Sequence, residues 1–423
     1  MITSYHRRKK KSSKGKYLFY FCVLLLIAAG IPVAWRHFKP AADEPAMAVV
    51  DDQPLKSQTL RRAIPRGEQA GNKRVGVLLP LTGPFARDGK MMLQGIKLAW
   101  KELNEQGLEA ELVVPSLEEG TTAVEDVAEE MANDPSTIAV VAHLPASQLN
   151  TIADILEKHQ IPLVIPANPH QSLFGHEWVI PLTPSDRSLA EDAAGVALQW
   201  ANGKPVVVIY NPAPYGQLLL EGFQSRAASE GFQFRAFEWP DDLDQTEKTG
   251  ITGRIAASDP GIIWLAGNPV WGAEVMSQLA TEPLKCRYLV PPVYDSPFIE
   301  ELMSQFLERM LFLRPVVTRE DGNQDMQQFH EHFQQFSLRE PNWLAALGFE
   351  AASWIGEALL NPSATRQDVR DRFLRHKGLD SAHEGIAGPV YFEDGGSVYR
   401  VPRVAQYKNG RFQVALPPAK GGG

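Results

Sequence analysis

From residue 74 onward, short continuous apolar runs alternate with longer stretches whose apolar residues recur every three or four positions. The run VGVLL at 75–79 has the unbroken hydrophobicity of a strand covered on both faces. After a Gly/Pro loop, Met91, Met92, Gly95, Ile96, Leu98, Ala99 and Leu103 fall at helical spacing. The same rhythm predicts strands at 111–114, 137–141 and 162–165, with helices at 121–132 and 147–159. A second series predicts helices at 189–200, 217–229, 245–257 and 272–280, and strands at 206–210, 232–237, 261–266 and 287–290. Past about residue 313 the rhythm changes to helices at 325–336, 342–360 and 366–376. Strands then follow at 388–392, 399–406 and 411–415, with Asp394-Gly395-Gly396 and Asn409-Gly410 as turns.

Such β-α alternation predicts α/β units with parallel sheets and helices on both faces. The break near residue 183, where Pro184-Ser185-Asp186 opens a helix, separates two units of similar design. A length of 423 residues is also more than one compact core needs.

The charge distribution adds a third region. Nine Lys/Arg and no acid fall in residues 1–39, which leaves 33 basic and 50 acidic residues for the rest, a formal charge of −17. So acidic a body repels phosphate backbones, and nucleic acid is excluded as a partner. Residues 17–35 carry no charge and, as a helix, would span roughly 28 Å, about one hydrocarbon thickness. Seven of the nine basic residues precede this run, which predicts a basic cytoplasmic tail at 1–16, a transmembrane anchor at 17–35 and an outward-facing remainder. Cleavage as a signal peptide is the competing reading, at Ala28-Ala29-Gly30 or Ala46-Met47-Ala48. Pro32 sits awkwardly for the first site, and the second lies far beyond the apolar run. Cys22 follows Phe21 rather than a small residue, which disfavours a lipoprotein. Residues 36–73, mixed in Pro, Ala, Gln and charge, read as a flexible tether.

Catalytic and metal chemistry find little support. Cys22 and Cys286 are the only cysteines, so the folded body has no disulfide framework. Cys286 reads as a buried apolar residue. His330 and His332 point about 200° apart on a helix and do not share a face for a metal. No Walker A, G-x-S-x-G or H-E-x-x-H motif occurs, so the reading is a non-enzyme without cofactor or metal.

Six segments, in order, resemble one family. They are VGVLLPLTGPFARDGKMMLQGIKLAWKELNEQG (75–107), AHLPASQLNTIADILEKHQIPLVIPAN (142–168), TPSDRSLAEDAA (183–194), VVVIYNPAPYGQLLLEGFQSRAASEG (206–231), GFEAASWIGEAL (348–359) and GIAGPVYFEDGG (385–396). Together they resemble the type I periplasmic binding proteins, specifically the leucine/isoleucine/valine-receptor branch. The resemblance implies two Rossmann-like lobes joined by a three-strand hinge, with ligand in the cleft between them. Lobe one would be 74–183 and 317–388, and lobe two 184–314 and 389–416.

The same resemblance suggests site residues. Phe85, Arg87 and Asp88 would face the cleft mouth, although Asp88 suits the N-cap of the next helix equally well. Ala146 falls where the family supplies a carboxylate-binding hydroxyl. Ser147 follows it, as a ligand contact or as a helix cap. Ala167 and Asn168 fall on the second carboxylate loop, and His143 and His170 lie on cleft-side loops. Tyr215 matches a cleft tyrosine, whereas Asn268-Pro269 replaces a family aromatic, with Trp271 nearby. Tyr294 and Asp295 lie on the loop of the ammonium-binding acid, Asp295 being also a candidate cap for a helix starting near Pro297.

The function implied is an extracytoplasmic receptor that captures a small polar, amino-acid-like ligand for an ABC permease. The altered clamp and the anchor leave two alternatives open. One is a regulatory protein acting on another membrane partner, such as a peptidoglycan-synthase activator; the other is a ligand sensor.

Overall fold

A computed structural model describes residues 73–417, except 84, 116, 118–123, 168, 296–300, 317, 318, 320, 321, 394 and 395. The basic tail, the apolar run at 17–35 and the tether lie outside the described residues. Among those described, no helix is long and apolar enough to cross a membrane.

The first series folds as expected. Strands β1 (Lys73–Leu78), β2 (Ala110–Val113), β3 (Thr137–Ala142), β4 (Leu163–Ile165) and β5 (Val179–Pro181) form a parallel sheet in the order β2-β1-β3-β4-β5. Helices α1 (Ala86–Glu105), α2 (Val124–Asn133) and α3 (Ala146–Lys158) connect them. The second series adds α4 (Asp186–Trp200), β6 (Val206–Tyr210), α5 (Pro214–Glu230), β7 (Arg235–Glu238), α6 (Gln245–Ala257), β8 (Ile262–Ala266), α7 (Pro269–Leu279), β9 (Arg287–Val290) and β10 (Met310–Arg314). Its sheet runs β10-β9-β8-β6-β7, all parallel. Strand β7 starts later than the pattern predicts, because Phe232 and Phe234 are drawn edge-on against buried Phe223 instead. Strands β5 and β10 are absent from the sequence reading: β5 is three residues long and ends in proline.

The later helices α8 (Gln324–Ser337), α9 (Trp343–Leu359) and α10 (Arg366–Leu374) return to the first sheet. Helices α1 and α9 meet so closely that a Cβ on Gly95 would lie 2.0 Å from the Ala345 carbonyl oxygen. Only glycine permits that approach, and it fixes the C-terminal segment onto lobe one.

Strands β11 (His383–Gly385), β12 (Gly388–Phe392) and β13 (Val398–Arg400) form a small antiparallel sheet, and β14 (Arg403–Lys408) and β15 (Arg411–Val414) extend the second large sheet beside β10. Here two expectations need correction. The strand predicted at 399–406 is two strands in different sheets, broken at Val401-Pro402, where proline cannot donate to a ladder. The boundary expected at 388/389 moves to 400/403, because Val390, Phe392 and Val398 are buried in the core of lobe one. The Asn409-Gly410 turn is as expected, both residues having positive φ (54° and 77°) between the antiparallel β14 and β15. The chain therefore passes between lobes three times, after Pro181, after Arg314 and after Arg400.

Candidate functional site

Asp88 follows β1 and Asp295 follows β9, yet the charge of Asp295 bears on Asp88. Asp295 also reaches lobe one directly, its backbone oxygen accepting from the Trp343 Nε1–H at 3.3 Å, and in open α/β sheets ligands bind beyond the C-terminal strand ends.

On the first lobe, α1 begins after Phe85, which makes no side-chain capping bond and is exposed. Asp88 lies in the first turn of α1, so it is not the N-cap. Its Oδ1 is buried without a hydrogen-bond partner among the described residues. Burial and then the Asp295 charge push its carboxyl up to about 6, against the opposing pull of Arg87.

His143 follows β3, and its backbone N–H donates to the Leu78 carbonyl at the end of β1 (3.0 Å). Its Nδ1 lies 3.2 Å from the Ala167 carbonyl oxygen. A carbonyl only accepts, so Nδ1 carries the hydrogen. Burial lowers the ring's pKa and keeps it neutral, leaving Nε2 as an acceptor.

Helix α3 starts at Ala146 after Pro145, with no side-chain cap. Ser147 is thus an exposed second helical residue, and the capping alternative for it is set aside. The side chain of Ala167 is fully buried. Asn168 lies outside the described residues. His170 caps the short turn Gln171–Leu173 by accepting from the Ser172 N–H.

On the second lobe, Asp186 opens α4 behind the N-cap Ser185. Burial pushes its carboxyl up to about 7, opposed by a hydrogen bond from Tyr215. Burial and the adjoining Asp186 raise the Tyr215 hydroxyl well above its ordinary range. Tyr294 is fully buried and donates to the Asn268 carbonyl oxygen (3.0 Å). A Cβ on Gly272 would lie 2.0 Å from that hydroxyl, so glycine lets α7 close against the tyrosine. The Asn268 side chain caps α7, accepting from the Trp271 N–H at 3.0 Å. Trp271 itself is buried and donates Nε1–H to the Trp239 carbonyl (2.9 Å). Asn268 and Trp271 are thus occupied within the lobe.

Asp295 is buried in a two-point ion pair with Arg314, through Nε and through Nη2 (3.0 Å). Its backbone oxygen also accepts from the Trp343 Nε1–H of lobe one at 3.3 Å. Committed to Arg314 beside the second crossing, it does not present the open carboxylate expected of an ammonium clamp.

Sequence reasoning missed Asp186 and the buried pair Glu350–Arg400. Asp186 stands in a quoted segment, but only the packing of Tyr215 marks it as desolvated. Arg400 reaches Glu350, the Leu182 carbonyl (2.5 Å) and the Gly388 carbonyl (3.2 Å), which are far apart in sequence. Among the described residues no group of three or more His, Cys, Asp or Glu could hold a metal ion.

A family profile described as periplasmic binding protein matches residues 73–411, most of the chain. The chain belongs to the periplasmic binding protein family. The leucine-specific-binding protein of Salmonella typhimurium is 22% identical to this periplasmic binding protein over 261 residues, 60% of this chain and 70% of that one. A crystal structure of a leucine binding protein from Thermotoga maritima superposes with a TM-score of 0.66 at 22% identity, covering 81% of this chain and 98% of that one. An ABC transporter substrate-binding protein from Desulfitobacterium hafniense in complex with Leu gives 0.68 at 20% identity, covering 82% and 99%. A solute binding protein from R. palustris in complex with benzoate gives 0.63 at 14%, covering 81% and 95%. These structures establish the two-lobed fold. The family and these relatives together make it a type I periplasmic binding protein of the branched-chain amino-acid receptor branch, a family placed outside the cytoplasm.

Proposed function

We propose that this protein is a solute receptor, held at the outer face of the cytoplasmic membrane by residues 17–35, that closes two lobes on a small organic ligand and presents it to an ABC permease. One observation carries the reading. Asp88 has a buried carboxylate oxygen without a partner among the described residues, in a cleft between two lobes linked by three short crossings. Buried polar atoms are normally satisfied, and a ligand entering the cleft would satisfy this one. The relatives in complex with Leu and with benzoate support small-molecule capture as the shared role. The asymmetry of basic residues around 17–35 supports the anchor.

The test is a thermal-shift screen of the full chain, recovered from membranes in detergent, against amino acids, amides, amines, aromatic acids and short peptides. A ligand at a hundred times its Kd stabilises by about 2.7 kcal/mol, which is readily seen. A screen without stabilisation by any class would sink the receptor reading, and release of the protein by alkaline carbonate alone would remove the anchor.

A further inference from the structure

Resting on the receptor reading, the polarity of the first lobe says what the ligand brings to it. Two groups flank the C-terminal end of β1. Asp88 is held there because Gly89, next to it, packs against the Pro80 backbone so tightly that a Cβ would lie 2.2 Å from the Pro80 oxygen. His143 is held there by its backbone bond to Leu78. Both groups are acceptors. Asp88 offers a buried Oδ1 without a partner among the described residues, and His143 offers Nε2, because Nδ1–H is spent on the Ala167 carbonyl. Ala146, at the start of α3, brings no hydroxyl to donate.

A carboxylate placed against these lone pairs would be repelled and would leave Oδ1 unsatisfied. A protonated nitrogen would supply the hydrogens that such acceptors lack, and a hydrogen bond with an ionised partner is the strong kind. The uncapped N-terminus of α3 does favour an anion, but Asp88 and the His143 lone pair oppose one on the same side. We propose that the first lobe binds a cationic nitrogen through Asp88 and His143, so that the ligand is held there by a protonated amine and not by a carboxylate.

Isothermal titration of the full chain would use 1,4-diaminobutane, agmatine and 3-methylbutylamine as amine probes, and leucine, isoleucine and benzoate as acid-bearing ones. The expected result is binding of at least one amine. Its affinity should rise about tenfold from pH 5 to pH 7, as Asp88, titrating at about 6, becomes ionised. Asp88→Asn should weaken that binding at least tenfold and flatten the rise, with the far-ultraviolet spectrum unchanged. If Asp88→Asn misfolds, His143→Phe, which keeps a ring but removes the Nε2 lone pair, should weaken the nitrogen-bearing probes and not benzoate. Binding of benzoate without any nitrogen-bearing probe, or leucine or isoleucine binding that Asp88→Asn leaves unchanged, would overturn the proposal while leaving a solute receptor in place. Amine binding indifferent to both substitutions would also overturn it. Binding by no probe here, and by no class in the thermal-shift screen, would overturn the receptor reading as well.

Discussion

Asp88 and Asp186 are acids whose burial raises their carboxyls to about 6 and about 7, from an ordinary value near 4. The folded state therefore holds protons that the unfolded chain has already released. Between about pH 4 and pH 7 the folded chain binds more protons, so its stability falls as pH rises. The advantage is fully present below about pH 4 and gone above about pH 7. Denaturation of the ligand-free protein should show a melting temperature declining from pH 5 to pH 7 through these two groups and Asp192, whose carboxyl burial also pushes up to about 7. Asp186→Asn, which is uncharged throughout, should make that decline shallower. An unchanged slope would mean that Asp186 ionises in the folded protein as an exposed carboxyl does.

Among the elements, α7 shows how a helix is aimed by a cap and a glycine together. Asn268 fixes its first turn, and Gly272 allows the turn to sit against Tyr294. Gly272→Ala would normally strengthen a helix by up to about 1 kcal/mol. Here its methyl group would overlap the Tyr294 hydroxyl and ring carbons at 2.0–2.8 Å. Tyr294 is fully buried and hydrogen-bonded, with nowhere to turn. Overpacking should win, with a net loss of about 1–3 kcal/mol in urea denaturation. A gain in stability would show that the tyrosine yields. The capped start of α6, where Asp244 and Glu247 bond each other's backbone N–H groups, was within reach of local sequence. The contact of Gly272 with Tyr294 was not, since twenty-two positions of chain separate the partners.

Across the whole molecule, two buried ion pairs stand at the crossings between lobes. Arg314 ends β10 and pairs with Asp295. Arg400 ends β13, with relative exposure of 1% against 2% for Glu350, and it also holds the Leu182 carbonyl of the first crossing. Glu350 in turn accepts from the Ala387 N–H at 3.0 Å. Glu350→Ala would leave a guanidinium buried without its counter-charge and should cost about 3–5 kcal/mol. Replacing both partners, as Glu350→Leu with Arg400→Met, removes the charges together and should cost less than the single change, as a double-mutant cycle in urea would measure. A double replacement as costly as the single one would assign the effect to the backbone bonds of Arg400 rather than to the buried charge.

Periodicity alone determined the β-α rhythm, the break near residue 183 and most element positions, because burial on one or both faces writes a local repeat into the chain. The ordered segments from 75 to 396 carried the family. Tertiary structure alone decided that residues 388–400 remain with lobe one, because sheet membership depends on which core Val390, Phe392 and Val398 enter, and a strand's own pattern is the same in either. It also took Asn268 and Asp295 out of the open clamp and buried Asp186 against Tyr215. A side chain's hydrogen-bond partner, its desolvation and hence its charge are set by groups distant in sequence. The sequence therefore named the acids, and only folding decided which of them had lost their water.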